Sequence, residues 1–205
     1  MINQIMDNIQ NIEIVLLRHG KTKANIEGRY AGRTDYPVLE DGKAELSGRD
    51  YSAYQDVRKV FISPLLRCRQ TADIIFPSHE KIVIPDLIEC DFGTFEDRTA
   101  KEMEGYKEFQ DWVDSGGTLP FPKGEDVEEF KDRCAEAMKE VMDICRVSGI
   151  KKAAVVSHGG VVMSIMERLC SEKRGYYEWH PDNGCGYVVR TGNDGILELV
   201  NEIIF

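Results

Sequence analysis

An α/β fold is predicted for this chain, a three-layer α/β/α sandwich with a mainly parallel sheet and helices on both faces. Two observations predict it. Short apolar runs with the composition of buried strands alternate along the chain with longer stretches of helical periodicity. The runs are apolar throughout instead of alternating with polar residues, as is typical of parallel strands covered on both faces.

The predicted strands are short and mostly separated by helical patterns. They cover residues 12–17, 57–63, 81–84, 153–157, 185–190 and 196–205. Asn193-Asp194-Gly195 lies between the last two and is a turn sequence, so these two strands are predicted to form an antiparallel hairpin.

The clearest helix is predicted over residues 125–146. Apolar side chains recur there at spacings of three and four residues, which forms one stripe on a helix. Gly149 is suited to end it. Near the N-terminus, Ile2, Ile5, Met6 and Ile9 also fall at helical spacing. They could form a short helix that packs on the body or on a second copy in a homodimer, or they could belong to a frayed tail.

Composition limits the class of protein. With 205 residues and 42% hydrophobic content, the chain can bury a core as a single domain over residues 1–205. The net charge of −10 argues against a general nucleic-acid surface, because phosphate backbones are bound by Lys and Arg. No secretory signal or membrane span is found, so we expect a cytoplasmic protein without a membrane partner.

The six cysteines form no C-x-x-C pair and lie in apolar or helical segments. This usage predicts reduced core residues and neither a disulfide framework nor a zinc site. The cysteines are Cys68, Cys90, Cys134, Cys145, Cys170 and Cys185.

Residues 91–124 differ from the rest of the chain because they are polar and rich in aromatic side chains. A long insertion over the carboxyl edge of a sheet often forms a lid that faces the substrate. A packed subdomain is the alternative, and the sequence favours neither.

Two histidines follow predicted strands directly. His19 lies in Arg18-His19-Gly20-Lys21-Thr22, and His158 lies in Ser157-His158-Gly159-Gly160. Because ligands bind at the carboxyl edge of an open α/β sheet, both histidines could meet one small anion. Arg18 offers a fork for phosphate oxygens, a neutral imidazole can attack phosphorus, and Thr22 could cap the helix that follows.

A third segment, Ser63-Pro64-Leu65-Leu66-Arg67-Cys68-Arg69, also follows a strand and opens a helix. This placement directs Arg67 to the same edge of the sheet, while Arg69 should point elsewhere. A carboxyl group in an apolar neighbourhood could stay protonated and act as a general acid. Glu89 fits that description in Leu87-Ile88-Glu89-Cys90-Asp91, but composition leaves Asp91 and Glu96 as alternatives.

Together these segments resemble the histidine phosphatase superfamily, from about residue 14 to residue 187. The resemblance rests on five segments in order, because any one alone would be weak evidence. They are Arg18-His19-Gly20; Asn25 with Gly28-Arg29-Tyr30-Ala31-Gly32 and Asp35; Ser63-Pro64-Leu65 with Arg67 and Gln70-Thr71-Ala72; Leu87 and Glu89 with Phe92-Gly93; and His158-Gly159-Gly160.

The resemblance implies a phosphoglycerate mutase-like fold and a role for each matching residue. His19 would be the nucleophile that becomes phosphorylated, and Glu89 would give a proton to the leaving oxygen and later accept one from water. Arg18, Arg67 and His158 would clamp the phosphate. The remaining predicted substrate-binding residues are Asn25, Thr22, Gly32 and Gly159. The expected ligand is a small phosphorylated metabolite, without a cofactor or a metal.

Within the superfamily the chain is most similar to the phosphatase branch, with alpha-ribazole phosphatase as a specific comparison. Mutases resemble one another in having a longer insertion between the acid and the second histidine. In this chain the segment between Glu89 and His158 is short and lacks an extra basic stretch. A phosphoglycerate mutase and a catalytically silent protein that binds a phosphorylated ligand remain alternatives. A metal-dependent hydrolase fits less well, because no H-E-x-x-H spacing occurs.

Several residues are predicted to have ordinary roles. Lys21 stands where the family commonly has an acidic residue, and a solvated lysine is the favoured interpretation. His79 and His180 lie in turn-rich stretches and are predicted to have no part in the site. Trp179 is predicted to be a packed aromatic residue.

Overall fold

A computed structural model describes residues 11–192 and 195–205. Within these residues six strands form one sheet, and each lies close to a predicted run. The strands are β1 (Glu13–Arg18), β2 (Lys59–Ile62), β3 (Lys81–Val83), β4 (Lys152–Ser157), β5 (Gly186–Thr191) and β6 (Leu197–Ile203). Their order across the sheet is β3-β2-β4-β1-β5-β6.

The sheet is mainly parallel, as predicted. Strands β1 to β4 pair in parallel, whereas β5 runs antiparallel to both β1 and β6. The antiparallel pairing of β5 with β6 confirms the predicted hairpin, although Asn193 and Asp194 lie outside the described residues. The prediction for Ile2, Ile5, Met6 and Ile9 also falls outside them.

Helices connect most of the strands. They are α1 (Lys23–Glu27), α2 (Glu40–Gly48), α3 (Leu66–Ile75), α4 (Lys107–Asp114), α5 (Val127–Val147) and α6 (Gly159–Leu169). Helix α5 is the one predicted over 125–146. It begins later because the Asp126 side chain caps it, accepting hydrogen bonds from the N–H groups of Glu128 and Glu129.

Both faces of the sheet are buried, which confirms the three-layer arrangement. Alternate residues of β1 point to opposite sides. Ile14 and Leu16 join one apolar cluster with residues of α5 and α6. Val15 and Leu17 join a second cluster with residues of α2 and α3. These four side chains are fully buried, and each contributes roughly 1.5–3 kcal/mol of hydrophobic stabilisation.

The aromatic segment 91–124 packs against the loop that follows α1. The ring of Tyr30 makes edge contacts with Phe92 and Trp112, at centroid distances of 5.4 and 6.0 Å. Phe95 is almost completely buried in the same cluster. The segment therefore has a packed aromatic interior of its own, and it also covers part of the carboxyl edge of the sheet.

The six cysteines are buried and free, as their spacing predicts. Trp179 is fully buried, which confirms the packed role predicted for it. None of the helices in residues 11–192 and 195–205 is long and apolar enough to cross a membrane.

Candidate active site

The two predicted histidines meet at the carboxyl edge of the sheet. Strands β1 and β4 are parallel neighbours, and Arg18 at the end of β1 lies opposite Ser157 at the end of β4. His19 and His158 follow directly. Their rings make an edge contact with 5.3 Å between centroids, and both side chains are buried. Adjacent parallel strands therefore bring together two residues that are far apart in the sequence.

His19 has the hydrogen bonding of a nucleophile. Its Nδ1–H donates to the carbonyl oxygen of Gly20 at 2.7 Å, which leaves Nε2 with its lone pair. No other described residue forms a hydrogen bond to this ring. Burial lowers the pKa of His19 well below its ordinary value, and the charges of Arg67 and Arg18 lower it further. The imidazole is therefore neutral at physiological pH and can attack an electrophile through Nε2.

Arg18, the residue before His19, has a hydrogen-bond donor that is available to a ligand. Its Nη1 donates to the carbonyl oxygen of Pro181 at 2.8 Å and lies 3.1 Å from Nε2 of His180. Its Nε is buried, and no described residue accepts from it. An unpaired buried N–H on a cation is suited to bind an anion.

The interpretation of His180 as an ordinary turn residue is wrong. His180 contacts Arg18 and lines the same pocket as His19. The sequence does carry a signal for this placement. His180 and Asn183 shortly precede β5, and an antiparallel neighbour of β1 starts at the edge where the parallel strands end.

Arg67 and His158 lie behind the nucleophile and bind each other. Arg67 is 2% exposed, and its Nε donates to Nδ1 of His158 at 3.1 Å. The neutral His158 therefore carries its proton on Nε2, which donates to Ser63 Oγ at 2.7 Å. Burial, followed by the charge of Arg67, lowers the pKa of His158 well below its ordinary value.

The guanidinium group of Arg67 is also held by the loop after α1. Its Nη1 donates to the carbonyl oxygen of Thr34 at 2.9 Å, and its Nη2 donates to that of Gly32 at 2.8 Å. Arg67 and His158 therefore have protein partners, and neither lines the pocket that His19 lines. Their direct contact with a phosphate stays a prediction. Arg69 is exposed, as expected.

Of the remaining predicted ligand-binding residues, Asn25 and Gly159 line the pocket and Thr22 does not. Thr22 is buried and caps α1, as predicted. The Asn25 side-chain oxygen accepts from the Thr22 N–H at 2.9 Å and from Nδ2 of Asn183 at 3.2 Å. Because the oxygen is held by these donors, the Asn25 amide nitrogen is available to a ligand. Asn183 also donates to the carbonyl oxygen of His19 at 3.0 Å, a supporting role that sequence analysis missed.

Glu89 is a buried carboxyl group at the same pocket as His19. It is 8% exposed and lines the pocket that His19 lines. Its oxygens accept from the N–H groups of Cys90 and Gly160, each at 3.0 Å. Burial raises the pKa of Glu89 above its ordinary value, against the opposing effect of these hydrogen bonds and of Arg67 and Arg18. Glu89 therefore stays protonated to a higher pH than a surface carboxyl group does.

The two alternative acids are engaged elsewhere. Glu96 accepts hydrogen bonds from the N–H groups of Gly32 and Arg33, at 3.0 and 2.7 Å. Asp91 accepts from the N–H of Gly93 at 2.9 Å. Glu96 thereby orients the loop whose carbonyl oxygens hold Arg67, and the Gly32 N–H is not available to a ligand. Of these three carboxyl groups, Glu89 is the one that lines the pocket with His19.

Two neighbouring cavities share Glu89 in their linings. The polar pocket has a volume of about 350 Å³, and its lining includes Arg18, His19, Asn25, Glu89, Gly159 and His180. The aromatic cavity has a volume of about 240 Å³, and its lining includes Tyr30, Glu89, Phe92, Trp112, Phe121, Phe130 and Tyr176. The residues described hold no group of three or more His, Cys, Asp or Glu side chains suited to a metal ion.

The fold and this arrangement define an α/β protein with two buried histidines and a buried carboxyl group at the carboxyl edge of its sheet. The model of the histidine phosphatase superfamily (branch 1) matches residues 14–202, so the chain belongs to that superfamily.

Proteins similar to this chain are named either as phosphoglycerate mutases or as phosphatases. A probable phosphoglycerate mutase of Serratia proteamaculans is 30% identical over 207 residues, which cover 89% of this chain and 93% of the relative. The crystal structure of alpha-ribazole phosphatase from Shigella flexneri has a TM-score of 0.80 at 22% identity, covering 94% and 96% of the two chains. A phosphoglycerate mutase structure from Bacillus anthracis has a TM-score of 0.74 at 19% identity, covering 95% and 94%. These two structural matches show the same fold, a phosphoglycerate mutase-like one.

Proposed function

We propose that this protein is a phosphatase that hydrolyses a small phosphomonoester through a phosphohistidine on His19, with Glu89 as the proton donor. One observation carries the proposal: a neutral imidazole with a free Nε2 and a buried carboxyl group of raised pKa line the same pocket. A nucleophile and an acid with opposite pKa shifts are the pair that phosphomonoester hydrolysis needs at neutral pH.

In the first step His19 Nε2 attacks phosphorus and the bond from phosphorus to the ester oxygen breaks. Glu89 gives its proton to that oxygen, which leaves as an alcohol. The transition state spreads negative charge over three equatorial oxygens. Arg18 Nε, the Asn25 amide and the N–H of Gly159, the first residue of α6, are donors available to them.

In the second step water attacks the phosphohistidine. The Glu89 carboxylate takes a proton from this water, the P–N bond breaks, and inorganic phosphate leaves with His19 neutral again. Arg67 stabilises the charge of the phosphorylated state from behind, since its guanidinium group is buried against His158. No cofactor and no metal enter this scheme.

The test is phosphate release from a panel of esters in EDTA, comparing the wild type with His19→Ala. The panel contains p-nitrophenyl phosphate, 3-phosphoglycerate and alpha-ribazole phosphate, the ester that the sequence resemblance suggests. We expect release that survives chelation and disappears in His19→Ala. His79→Ala is the matched control, because His79 does not line the pocket and should be dispensable. Equal activity of His19→Ala and the wild type would contradict the proposal.

Mutase activity is the second candidate, because a probable phosphoglycerate mutase shares 30% identity with most of this chain. Conversion of 3-phosphoglycerate to its isomer without free phosphate would establish it. Against it, Arg29, the second arginine that lines the polar pocket, is already paired with the carboxylates of Glu27 and Glu102. Binding of phosphate esters without any turnover would instead support a silent binding protein.

A further inference from the structure

The aromatic cavity has no part in the two steps described above. It shares Tyr30, Glu89, Phe92, Gly160 and Met163 with the polar pocket, so a molecule can occupy both. Glu89 stands where they join, and it is the residue that protonates the leaving oxygen in the proposed mechanism. Whatever is attached to that oxygen therefore starts at the entrance to the aromatic cavity.

The lining of this cavity excludes an anionic group. Of the described residues that line it, none is lysine, arginine or histidine, and Glu89 alone is a carboxyl group. A carboxylate or second phosphate would lose its hydration there without gaining a cation. Aromatic walls instead favour a flat apolar group, which loses little by leaving water and can stack or make edge contacts.

One wall carries an unused hydrogen-bond donor. Trp112 lines the cavity, and its indole Nε1 is buried without a partner in the described part of the chain. Its ring is held in place by Phe121 and Phe109, at centroid distances of 5.2 and 6.5 Å. Buried indole N–H groups usually find an acceptor, so an acceptor on a ligand is expected here.

Building on the proposed phosphatase activity, we propose that the aromatic cavity is the leaving-group subsite and takes a flat apolar ring with a hydrogen-bond acceptor for the Trp112 N–H. The volume of about 240 Å³ is slightly below the roughly 300 Å³ at which drug-sized ligand pockets begin. The cavity therefore suits a single or fused ring, with the phosphate in the polar pocket. The substrate class is a phosphomonoester whose organic part contains a heteroaromatic ring.

The first experiment measures binding with phosphonates, which cannot be hydrolysed and so report affinity without leaving-group reactivity. The probes are 2-naphthylmethylphosphonate, ethylphosphonate and 2-carboxyethylphosphonate, with dissociation constants from calorimetry. We expect the naphthyl compound to bind at least about tenfold more tightly than ethylphosphonate, and the carboxyethyl compound most weakly. Equal affinities, or tightest binding of the carboxylate, would overturn the subsite.

The second experiment tests the indole N–H with Trp112→Phe, which keeps an aromatic wall and removes the donor. Quinolinyl phosphates and 2-naphthyl phosphate are nearly identical in shape, but only the quinolines carry a ring nitrogen. The smaller ring removes contact area from both esters but a hydrogen bond from only one, so we expect Trp112→Phe to lower the ratio of kcat/KM for the best quinolinyl isomer to that for 2-naphthyl phosphate by about fivefold. The same change for both esters would overturn the role of the N–H.

Failure of this proposal is distinguishable from failure of the phosphatase proposal. If no ester is hydrolysed, the calorimetric comparison still decides whether the cavity binds the ring. If esters are hydrolysed but the naphthyl and ethyl phosphonates bind equally, the phosphatase stands and the subsite does not.

Discussion

The polar pocket and the aromatic cavity share Glu89 but are built in different ways. The polar pocket combines residues at strand ends with residues of α1 and of the loop after it, and the sheet determines the position of His19 and Arg18. The aromatic cavity is made largely by the segment 91–124 together with residues of α5 and α6. The first arrangement supplies donors and a nucleophile that suit any phosphate ester. The second offers almost only shape and apolar surface, so it can select among esters without taking part in the chemistry.

The largest effect that separates the two regions is expected from Arg18→Ala. This change removes the buried unpaired Nε beside the nucleophile, so kcat/KM should fall by about 10³-fold for every ester alike. Steady-state kinetics with an aryl and an alkyl phosphate measure it. Arg29→Ala is the control, since Arg29 lines the same pocket but is neutralised by Glu27 and Glu102. A loss confined to aryl phosphates would contradict the view that the polar pocket acts on every phosphate ester alike.

Glu89→Gln should lower kcat/KM, which reports the phosphorylation step, by about 10²-fold for alkyl phosphates and by much less for p-nitrophenyl phosphate, whose leaving group needs no proton. The pH dependence of kcat/KM gives a second test of the role of Glu89. Activity needs neutral His19, so it falls at pH below the lowered pKa of His19. It also needs protonated Glu89, so it falls as pH rises through the raised pKa of Glu89. The kcat/KM profile of Glu89→Gln should keep the acid limb and lose the alkaline limb.

An unchanged alkaline limb in Glu89→Gln would assign that limb to another group and remove Glu89 from the proton-donor role. The two limbs belong to interacting groups, because Arg18 and Arg67 act on both His19 and Glu89. Apparent pKa values from the profile therefore describe the site as a whole.

Gly160→Ala should lower kcat/KM for an alkyl phosphate by about tenfold, because a Cβ at residue 160 would lie 2.5 Å from Glu89 Oε1 and displace the carboxyl group. The hydrogen bond from the Gly160 N–H to Glu89 would be disturbed with it. Gly48→Ala is the matched control, since a Cβ there meets nothing within 4 Å. Kinetics on p-nitrophenyl and alkyl phosphates should show the larger loss for the alkyl ester. Equal activity in both glycine variants would show that Glu89 tolerates displacement.

The smallest effect is expected from Lys21→Ala. Although Lys21 directly follows the nucleophile motif, its side chain is paired with Glu45 at 2.8 Å, and both groups are substantially exposed. An exposed pair contributes about 0–1 kcal/mol to stability, and Lys21 does not line either cavity. We expect kcat/KM to stay within twofold for all esters. A larger loss confined to esters whose organic part carries an additional negative charge would show that the polar pocket selects substrates by charge.

The strand ends and the residues just beyond them were predictable because a parallel sheet aligns its carboxyl ends. This reasoning places His19, His158 and Arg67 at the same edge of the sheet. It failed for His180 and Asn183, since their position depends on β5 being antiparallel to β1. Direction of pairing at the end of a chain is a tertiary property, which local patterns of apolar residues do not specify.

The acid and the aromatic segment show a second limit of prediction from the sequence. Composition left Glu89, Asp91 and Glu96 equivalent, because each is a carboxyl group near apolar residues. The decision depends on which backbone N–H groups lie within reach, and the loop after α1 occupies Glu96. In the same way, the sequence does not separate Phe95, which is buried in the packed interior, from Trp112, which lines a cavity.

By itself, the sequence determined the strands of the sheet, the order of its motifs and the placement of His19 and His158 at the strand ends, because strand runs and strand-end residues are local patterns. The tertiary structure decided which carboxyl group lines the pocket with His19 and how Arg67 and His158 bind each other. It also decided that a cavity without lysine, arginine or histidine in its described lining adjoins this polar pocket. The physical reason is that burial, hydrogen-bond partners and cavity shape arise from contacts between distant segments, and no local pattern encodes them.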